Sequence, residues 1–446
     1  MYILRTCWHY LLQLDTPVPQ RTDAEIAAEV ERNYRWNFGA NLLDVVTFWF
    51  GLNFAAPSTV IPLFLSKLTL NPFIIGLAAM ISQAGWYLPQ LFTSTYTERL
   101  ARKKPVVVRL GFFMERLPVW FWPLAALFAL HSPFIALALF LLALACHSLG
   151  AGMIAPAWQD MIARCFPVTR RGRFFGISTF LGSGGGALGA LVSSWLLKTY
   201  AFPSNFVATF SVAALFITIS WGFLALTREP VQPVPLPASS ASHGWVKWTG
   251  ILREDHNFRR YLQARFVMGL GTMGIGFMTI SAVQRWQIND EIVGFFTIAL
   301  LIGQSLGNLS AGVVADRFGH KLPLEMGTAV LVLAFMLARL APSSDFYYAV
   351  FAMIGFAIGM VLVSGIMISL EFSPPQFRPT YIGIANTIAG IGGGIAPLLG
   401  GWIAGKSYHW LFVLSAGCGA IGFMLLHWSV KEPRFVERER PVNRSQ

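Results

Sequence analysis

The sequence predicts an all-α membrane protein, twelve transmembrane helices in two six-helix halves, and three observations carry that prediction. The 446-residue chain is 55% hydrophobic and 14% aromatic but only 12% charged, about half the charged share of an ordinary soluble protein. Apolar stretches of the roughly 20 residues that cross a bilayer recur from end to end. The basic residues gather in alternate connecting segments, as they do in membrane proteins with a fixed orientation.

The elements follow in order. Residues 1–38 hold Asp, Glu and Arg throughout and no signal-peptide pattern, so they are expected as a retained cytoplasmic segment. Six spans are expected at 39–65, 71–95, 106–130, 133–158, 174–198 and 204–226, forming the N-terminal half, 39–226. Residues 227–261 carry Pro230, Pro233, Pro235, Pro237, a Ser/Ala run and a basic stretch to Arg260, the composition of a cytoplasmic linker. Six more spans are expected at 262–284, 291–314, 322–341, 345–370, 379–404 and 408–429, the C-terminal half 262–429, followed by a cytoplasmic tail at 430–446.

With both termini inside, the opposite loops hold only Lys67, Lys198, Arg285 and Lys406 of the 33 Lys and Arg residues. The net charge of +12 is then an insertion signal with attraction to anionic lipid. No nucleic-acid partner is expected. The four cysteines, Cys7, Cys146, Cys165 and Cys418, have no metal-ligand or redox spacing, so no metal and no cofactor are expected.

The halves repeat. At one constant offset Asn71, Gly76, Gly85, Leu88, Leu91, Arg99, Lys103 and Pro105 fall on Asn289, Gly294, Gly303, Leu306, Leu309, Arg317, Lys321 and Pro323. Further along, Arg171, Gly176, Ile177, Gly185, Gly186 and Trp195 fall on Arg378, Gly383, Ile384, Gly392, Gly393 and Trp402. A looser match sets Asn33-Tyr34-Arg35 on Asn257-Phe258-Arg259, which puts Asn41 on Arg265. Parallel six-span repeats are the architecture of transporters that rock one half against the other around a central site.

The strongest local pattern is Gly312-x-x-x-Asp316-Arg317-x-Gly319-His320-Lys321, after the eighth span. Here the chain resembles the major facilitator superfamily, whose signature loop reads G-x-x-x-D-R/K-x-G-R/K-R/K after spans two and eight. The first copy departs from it, with Ser94, Glu98 and Ala101 at the glycine, aspartate and second glycine positions, and keeps Arg99, Arg102, Lys103 and Lys104. The resemblance extends over about residues 35–430. It implies a conformational latch at Gly312, Asp316, Arg317, Gly319 and Lys321, with Glu98 and Arg99 as counterparts. The bland alternative is that these charges only orient the loop. On the latch reading, Asp316→Asn impairs turnover more than binding.

Glycines cluster in span five (Gly182, Gly184, Gly185, Gly186, Gly189) and span eleven (Gly390, Gly392, Gly393, Gly394). Small residues four apart, Gly182/Gly186, Gly185/Gly189 and Gly390/Gly394, permit close helix packing in lipid. The span-five run resembles a glycine-rich motif of superfamily exporters, with Gly189-Ala190 in place of its Gly-Pro pair, which leans the expectation to export. Gly400 to Ser407 spells the phosphate-binding G-x-x-x-x-G-K-S, but at the end of an apolar span, where that loop's strand and aqueous setting are missing.

Ionisable residues inside spans are costly and mark function. Asn41, Asp44, Phe48, Gly51, Ala55, Ser58, Thr59 and Pro62 form one polar or small stripe on a helical wheel, suited to lining a cavity, with interfacial capping as Asp44's alternative. Gln83, Arg265, Gln304, Asn308 and Asn386 are the other cavity candidates. Arg265 either meets an anionic group or Asp44, or anchors at the interface. Glu115 and Arg116 lie deep in span three, so Glu115 either pairs with Arg116 or Arg109, or carries a proton. His147, in span four, either packs through a hydrogen bond or relays protons. Asp44, Glu115 and His147 are thus the proton-coupling candidates.

The expected function is secondary active transport of a small solute by alternating access, coupled to a proton or other ion, in a monomer embedded in a bacterial inner membrane. The alternative is a non-transporting receptor, scaffold or lipid-handling protein on a transporter fold. No enzyme is expected, because paired carboxylates, nucleophile–base sets and metal clusters are missing at plausible spacing.

Overall fold

The computed structural model describes residues 21–98, 100–232, 250–373 and 378–434. Arg99 and Cys7 lie outside them, as does the side chain of Glu98. All described secondary structure is helical. Packing divides the chain into one unit of Met1–Leu70, Ile81–Pro237 and Asn289–Gly294, and another of Asn71–Met80, Ala238–Ile288 and Phe295–Gln446.

The first unit opens on α1, Asp23–Leu52. Thr22 starts it with a reciprocal cap: its hydroxyl accepts from the Glu25 amide while the Glu25 carboxylate accepts from the Thr22 amide at 2.9 Å. The single span expected at 39–65 is broken. α1 ends before the 3-10 turn Asn53–Ala55, Pro57 follows, and the chain resumes as α2, Val60–Leu68. Proline has no amide hydrogen to carry the helix bonding on, and before it the Trp49 carbonyl accepts from both the Asn53 backbone amide and the Asn53 side-chain Nδ2, the latter at 2.8 Å.

α3 (Pro72–Glu98) follows, starting in the second unit and ending in the first. The third predicted span is not an α-helix for most of its length. It winds as π-helix over Val106–Leu110 and Phe112–Arg116, tightens to 3-10 over Leu117–Trp120, and becomes α4 only at Phe121–Leu127. Then come α5 (Pro133–Cys165), α6 (Val168–Thr199) and α7 (Ser204–Ala225). The core beneath α2 is aromatic, with the Phe64 ring 5.1 Å from each of Phe140, Phe206 and Phe210 and Trp122 buried beside them.

The second unit repeats the broken opening. α8 (His256–Leu270) begins inside the stretch expected as linker, with Asp255 capping the Phe258 amide at 2.8 Å. It stops at Gly271, passes through the 3-10 turn Ile275–Phe277 and resumes as α9, Met278–Trp286. α10 (Asp290–Phe318), α11 (Lys321–Leu340), α12 (Phe346–Phe372), α13 (Arg378–Ala404) and α14 (Tyr408–Ser429) complete the chain. Ten helical stretches among the described residues are long and apolar enough to cross a membrane, corresponding to predicted spans one and four to twelve.

Glycines set the closest crossing. A Cβ at Gly303 or Gly307 of α10 would strike the backbone of Ala352 or Phe356 on α12, and one at Gly355 or Gly359 would strike Leu300 or Gln304 in return. Both helices thus present small residues four apart, the pattern that lets backbones meet in lipid. In span five, Gly182, Gly185 and Gly189 abut Trp49, Val46 and Phe50 of α1. Gly184 and Gly393 face open space, so not every clustered glycine packs.

Candidate functional site

Asp44 is buried on α1, two turns before the break, and its Oδ1 accepts from the Ser220 hydroxyl of α7 at 2.7 Å. The predicted polar stripe faces α7. Asn41 bonds the Asn37 carbonyl at 2.8 Å and accepts from Thr227 at 3.2 Å, while a Cβ on Gly51 would press on Ala213, Phe216 and Ile217. Asp44 is therefore held against a packed helix.

Glu115 and Arg116 close the π-wound stretch, both buried, and pair with each other. The Arg116 guanidinium lies 5.8 Å from the Phe48 ring centre and acts electrostatically on Asp44, bringing α1 and the third span to one charge cluster. His147 of α5 joins it, its Nδ1–H donating to the Glu115 carbonyl at 2.8 Å and its ring standing edge-on to Trp122 at 5.3 Å. Buried ionised groups survive only when paired. Here Glu115 is paired with the guanidinium, and Asp44, bonded to Ser220, lies within its electrostatic reach.

The winding positions this pair. Trp221 Nε1 of α7 donates to the Val108 carbonyl at 2.7 Å, and Trp120 Nε1 donates to Thr218 Oγ1 at 3.0 Å, pinning both ends of the irregular stretch to α7. A Cβ on Gly150 would strike the Met114 backbone, so only glycine lets α5 approach there. Single π turns inside helices collect at functional sites. Nothing in the hydrophobic pattern announces them; Gly111, Pro118 and Pro123 were the available signals.

One end of each unit carries the same clasp. Asn37 exchanges two hydrogen bonds with the backbone of Arg228, at 2.8 and 3.0 Å, and Asn257 does so with Lys431, both at 2.9 Å. The partner of Asn257 in the repeat is therefore Asn37 rather than Asn33, and Arg265 falls opposite Val45 rather than Asn41. Glu229 then accepts from the Lys103 and Lys104 amides at 2.8–3.0 Å, and Glu432 from the Lys321 amide at 2.8 Å. Glu229 and Glu432 went unread in the sequence, although Arg228-Glu229-Pro230 and Lys431-Glu432-Pro433 repeat a basic-Glu-Pro signal after spans six and twelve.

Of the signature-loop residues, Gly319 and Lys321 build this clasp. Gly319 sits at φ +83°, where L side chains are strained, and a Cβ there would collide with the Glu432 carboxyl. Lys321 Nζ donates to the His427 carbonyl at 2.8 Å and pairs with Glu325 at 3.4 Å. Asp316 and Arg317 are exposed, with no side-chain ion pair among the described residues, and Gly312 faces open space instead of a neighbouring helix.

Burial pushes Glu432 up to about 7, with the neighbouring Glu371 carboxylate adding to the rise. Glu371 is paired with Arg434 at 2.8 Å and lies 3.9 Å from His320. A carboxyl raised in the folded state binds its proton more tightly there, so its contribution to stability is full below about 4.5 and is lost as pH rises through about 7. The melting temperature of the wild type is expected to fall relative to Glu432→Gln across that window. Parallel melting curves would contradict it. Burial likewise raises Glu229 and lowers Lys103, the latter despite Asp160 at 3.3 Å.

The remaining cavity candidates divide between the units. Gln83 is exposed in the first. In the second, Gln304 and Asn308 stand at the α10–α12 crossing beside Gly359, Asn386 is half-buried on α13, and Arg265 lies on α8 against Gly365 of α12. Trp122 is buried in the phenylalanine core, whereas Trp49, Trp120 and Phe121 are exposed.

The Major Facilitator Superfamily pattern matches residues 43–284 and 262–445, most of the chain. The chain belongs to the Major Facilitator Superfamily. It is thus a multi-pass integral membrane protein of a transporter family, not an enzyme. Similar superfamily members include the uncharacterized MFS-type transporter YfkF of Bacillus subtilis, 23% identical over 71% of this chain and 77% of that one. The multidrug resistance protein MdtH of Cronobacter sakazakii is 24% identical over 64% of this chain and 70% of its own. The 4-hydroxybenzoate transporter PcaK of Pseudomonas putida is 28% identical, over 38% of this chain and 39% of its own. Among solved structures, the D-xylose-proton symporter aligns with a TM-score of 0.66 at 13% identity, covering 89% of this chain and 98% of that one. At such identity the likeness concerns the fold.

Proposed function

We propose that this superfamily member is a twelve-span secondary transporter that moves a small solute by alternating access and couples it to proton movement through Asp44, Glu115 and Arg116. The observation that carries the reading is the buried Glu115–Arg116 pair with a second buried carboxylate, Asp44, within electrostatic reach of the same guanidinium. One negative charge is left over, and a single proton neutralises it. Proton uptake thereby changes the charge that α1, the third span and α7 hold together. Both units also open on a helix broken at its corresponding place, Asn53–Thr59 and Gly271–Phe277, and paired interruptions of this kind point to the substrate site in repeat-built transporters.

His147 already donates Nδ1–H to a carbonyl, which fixes its orientation and leaves Nε2 as the atom available for a proton. It holds the Glu115 backbone in place, a positioning role. The span-five glycines Gly182, Gly185 and Gly189 abut α1 as ordinary helix contacts. Both termini are placed in the cytoplasm, on the asymmetry of Lys and Arg along the chain.

The test uses proteoliposomes loaded with a pH-sensitive dye and offered 4-hydroxybenzoate, gallate, D-xylose and nucleosides in turn. At least one solute is expected to drive proton entry in wild type and not in Asp44→Asn. Solute uptake with no proton movement in wild type would overturn the coupling.

A further inference from the structure

The geometry points to Arg265 as the binding group for the carboxylate of a small organic anion, an inference that rests on the transport reading and names its solute class. Arg265 lies nine residues into α8, about 13 Å along the helix at 1.5 Å per residue. It stands three residues inside the span expected at 262–284, whereas Arg259 and Arg260 precede that span and are exposed near the helix start.

Charged side chains within a span are retained against a cost and ordinarily find a partner. Arg265 forms no ion pair and no hydrogen bond with any described residue. The acids that could have served it are absent or engaged. α13 and α14, the helices packed along α8, contain no Asp or Glu. Asp255 caps the Phe258 amide and accepts from the Tyr381 hydroxyl at 3.2 Å. Glu325 serves Lys321 and His427, and Glu371 serves Arg434 two turns beyond Gly365 on α12.

The space around the guanidinium is built. A Cβ on Gly365 would stand 3.0 Å from Nη2 and 3.5 Å from Cζ, so the guanidinium packs against this glycine and would shift by a few tenths of an ångström if it carried a methyl. The Gly365 carbonyl accepts from Ser369 at 3.1 Å and Tyr261 at 3.5 Å. Arg265 is half-buried, so part of its surface is exposed. A planar fork of N–H donors is matched by the two oxygens of a carboxylate, which would be held in a bidentate pair.

The experiment is thermal unfolding of the full-length detergent-purified protein at pH 7 with 4-hydroxybenzoate, succinate and lactate, each beside its amide, and with inorganic phosphate. At least one carboxylate is expected to raise the melting temperature while its amide does not. Arg265→Gln should weaken that carboxylate at least ~10-fold. Arg265→Lys, which keeps the charge and controls for folding, should weaken it less, as should Gly365→Ala, which displaces the guanidinium. No response to any carboxylate, equal response to acid and amide, or response to phosphate alone would overturn the assignment. So would full transport by Asp44→Asn/Arg265→Gln where each single variant fails, since the arginine would then serve Asp44. Carboxylate binding without proton movement would leave this assignment standing and remove the coupling proposal instead.

Discussion

Asp44→Asn is expected to abolish gradient-driven accumulation of solute while leaving exchange of solute for solute intact. Asparagine keeps the size and the oxygen that accepts from Ser220, so α1 stays docked on α7. What goes is the second carboxylate within electrostatic reach of Arg116, and with it the proton the cluster exchanges. The remaining Glu115–Arg116 pair is balanced, so the variant should fold as well as wild type. Arg116→Gln should behave in the opposite way. It strands two carboxylates in the interior, and removing one partner of a buried pair costs about 3–5 kcal/mol. Counterflow and accumulation measured side by side, with melting curves for both variants, decide the matter. An Asp44→Asn protein that still accumulates solute, or an Arg116→Gln protein as stable as wild type, would contradict the account.

The second large effect is structural. Gly355→Val should prevent α12 from closing on α10, because its Cβ meets the Leu300 carbonyl and the Gln304 amide, backbone groups that cannot rotate away. Overpacking of well-packed sites costs about 1–3 kcal/mol and sometimes more. The unyielding neighbours put this variant at the upper end, with little folded protein recovered from the membrane. Gly393→Val is its control, since nothing stands within 4 Å of a Cβ there. Equal yields of the two would show that glycine spacing does not set the crossing.

The fold class was open to reading because lipid imposes a coarse rule: about 20 apolar residues to cross, with backbone bonds satisfied inside the helix. That rule located ten of the twelve predicted spans among helices long and apolar enough to cross. It could not show how a span is wound. Residues 106–116 are as apolar wound as π-helix as they would be as α-helix, so depth counted along an ideal helix misplaces Glu115 and Arg116. The break at Pro57 lies inside one largely apolar stretch, so hydropathy alone did not mark it; the proline and the Ser58-Thr59 pair after it were the available signals.

Parts of the site were legible as single residues but not as an assembly. Asp44, Glu115 and His147 stand out because charge and polarity are rare in spans. Their meeting depends on Ser220, Trp221 and Trp120, which look ordinary in sequence and fix the helices that carry them. The clasp was missed because Glu229 and Glu432 fall just beyond the spans, where acidic residues are usually solvated. Each instead turns back to cap backbone amides more than a hundred residues away.

The proposed coupling makes a proton gradient the drive for solute movement. Its most direct test is accumulation in wild-type proteoliposomes under an imposed pH difference, using a solute that shifts thermal unfolding. One coupled proton per uncharged transport cycle supports up to about tenfold accumulation per pH unit, since a pH unit and a tenfold ratio are the same free energy. Accumulation is expected to rise with the imposed difference and to collapse with a protonophore. Internal and external solute equalising at every imposed gradient would contradict it.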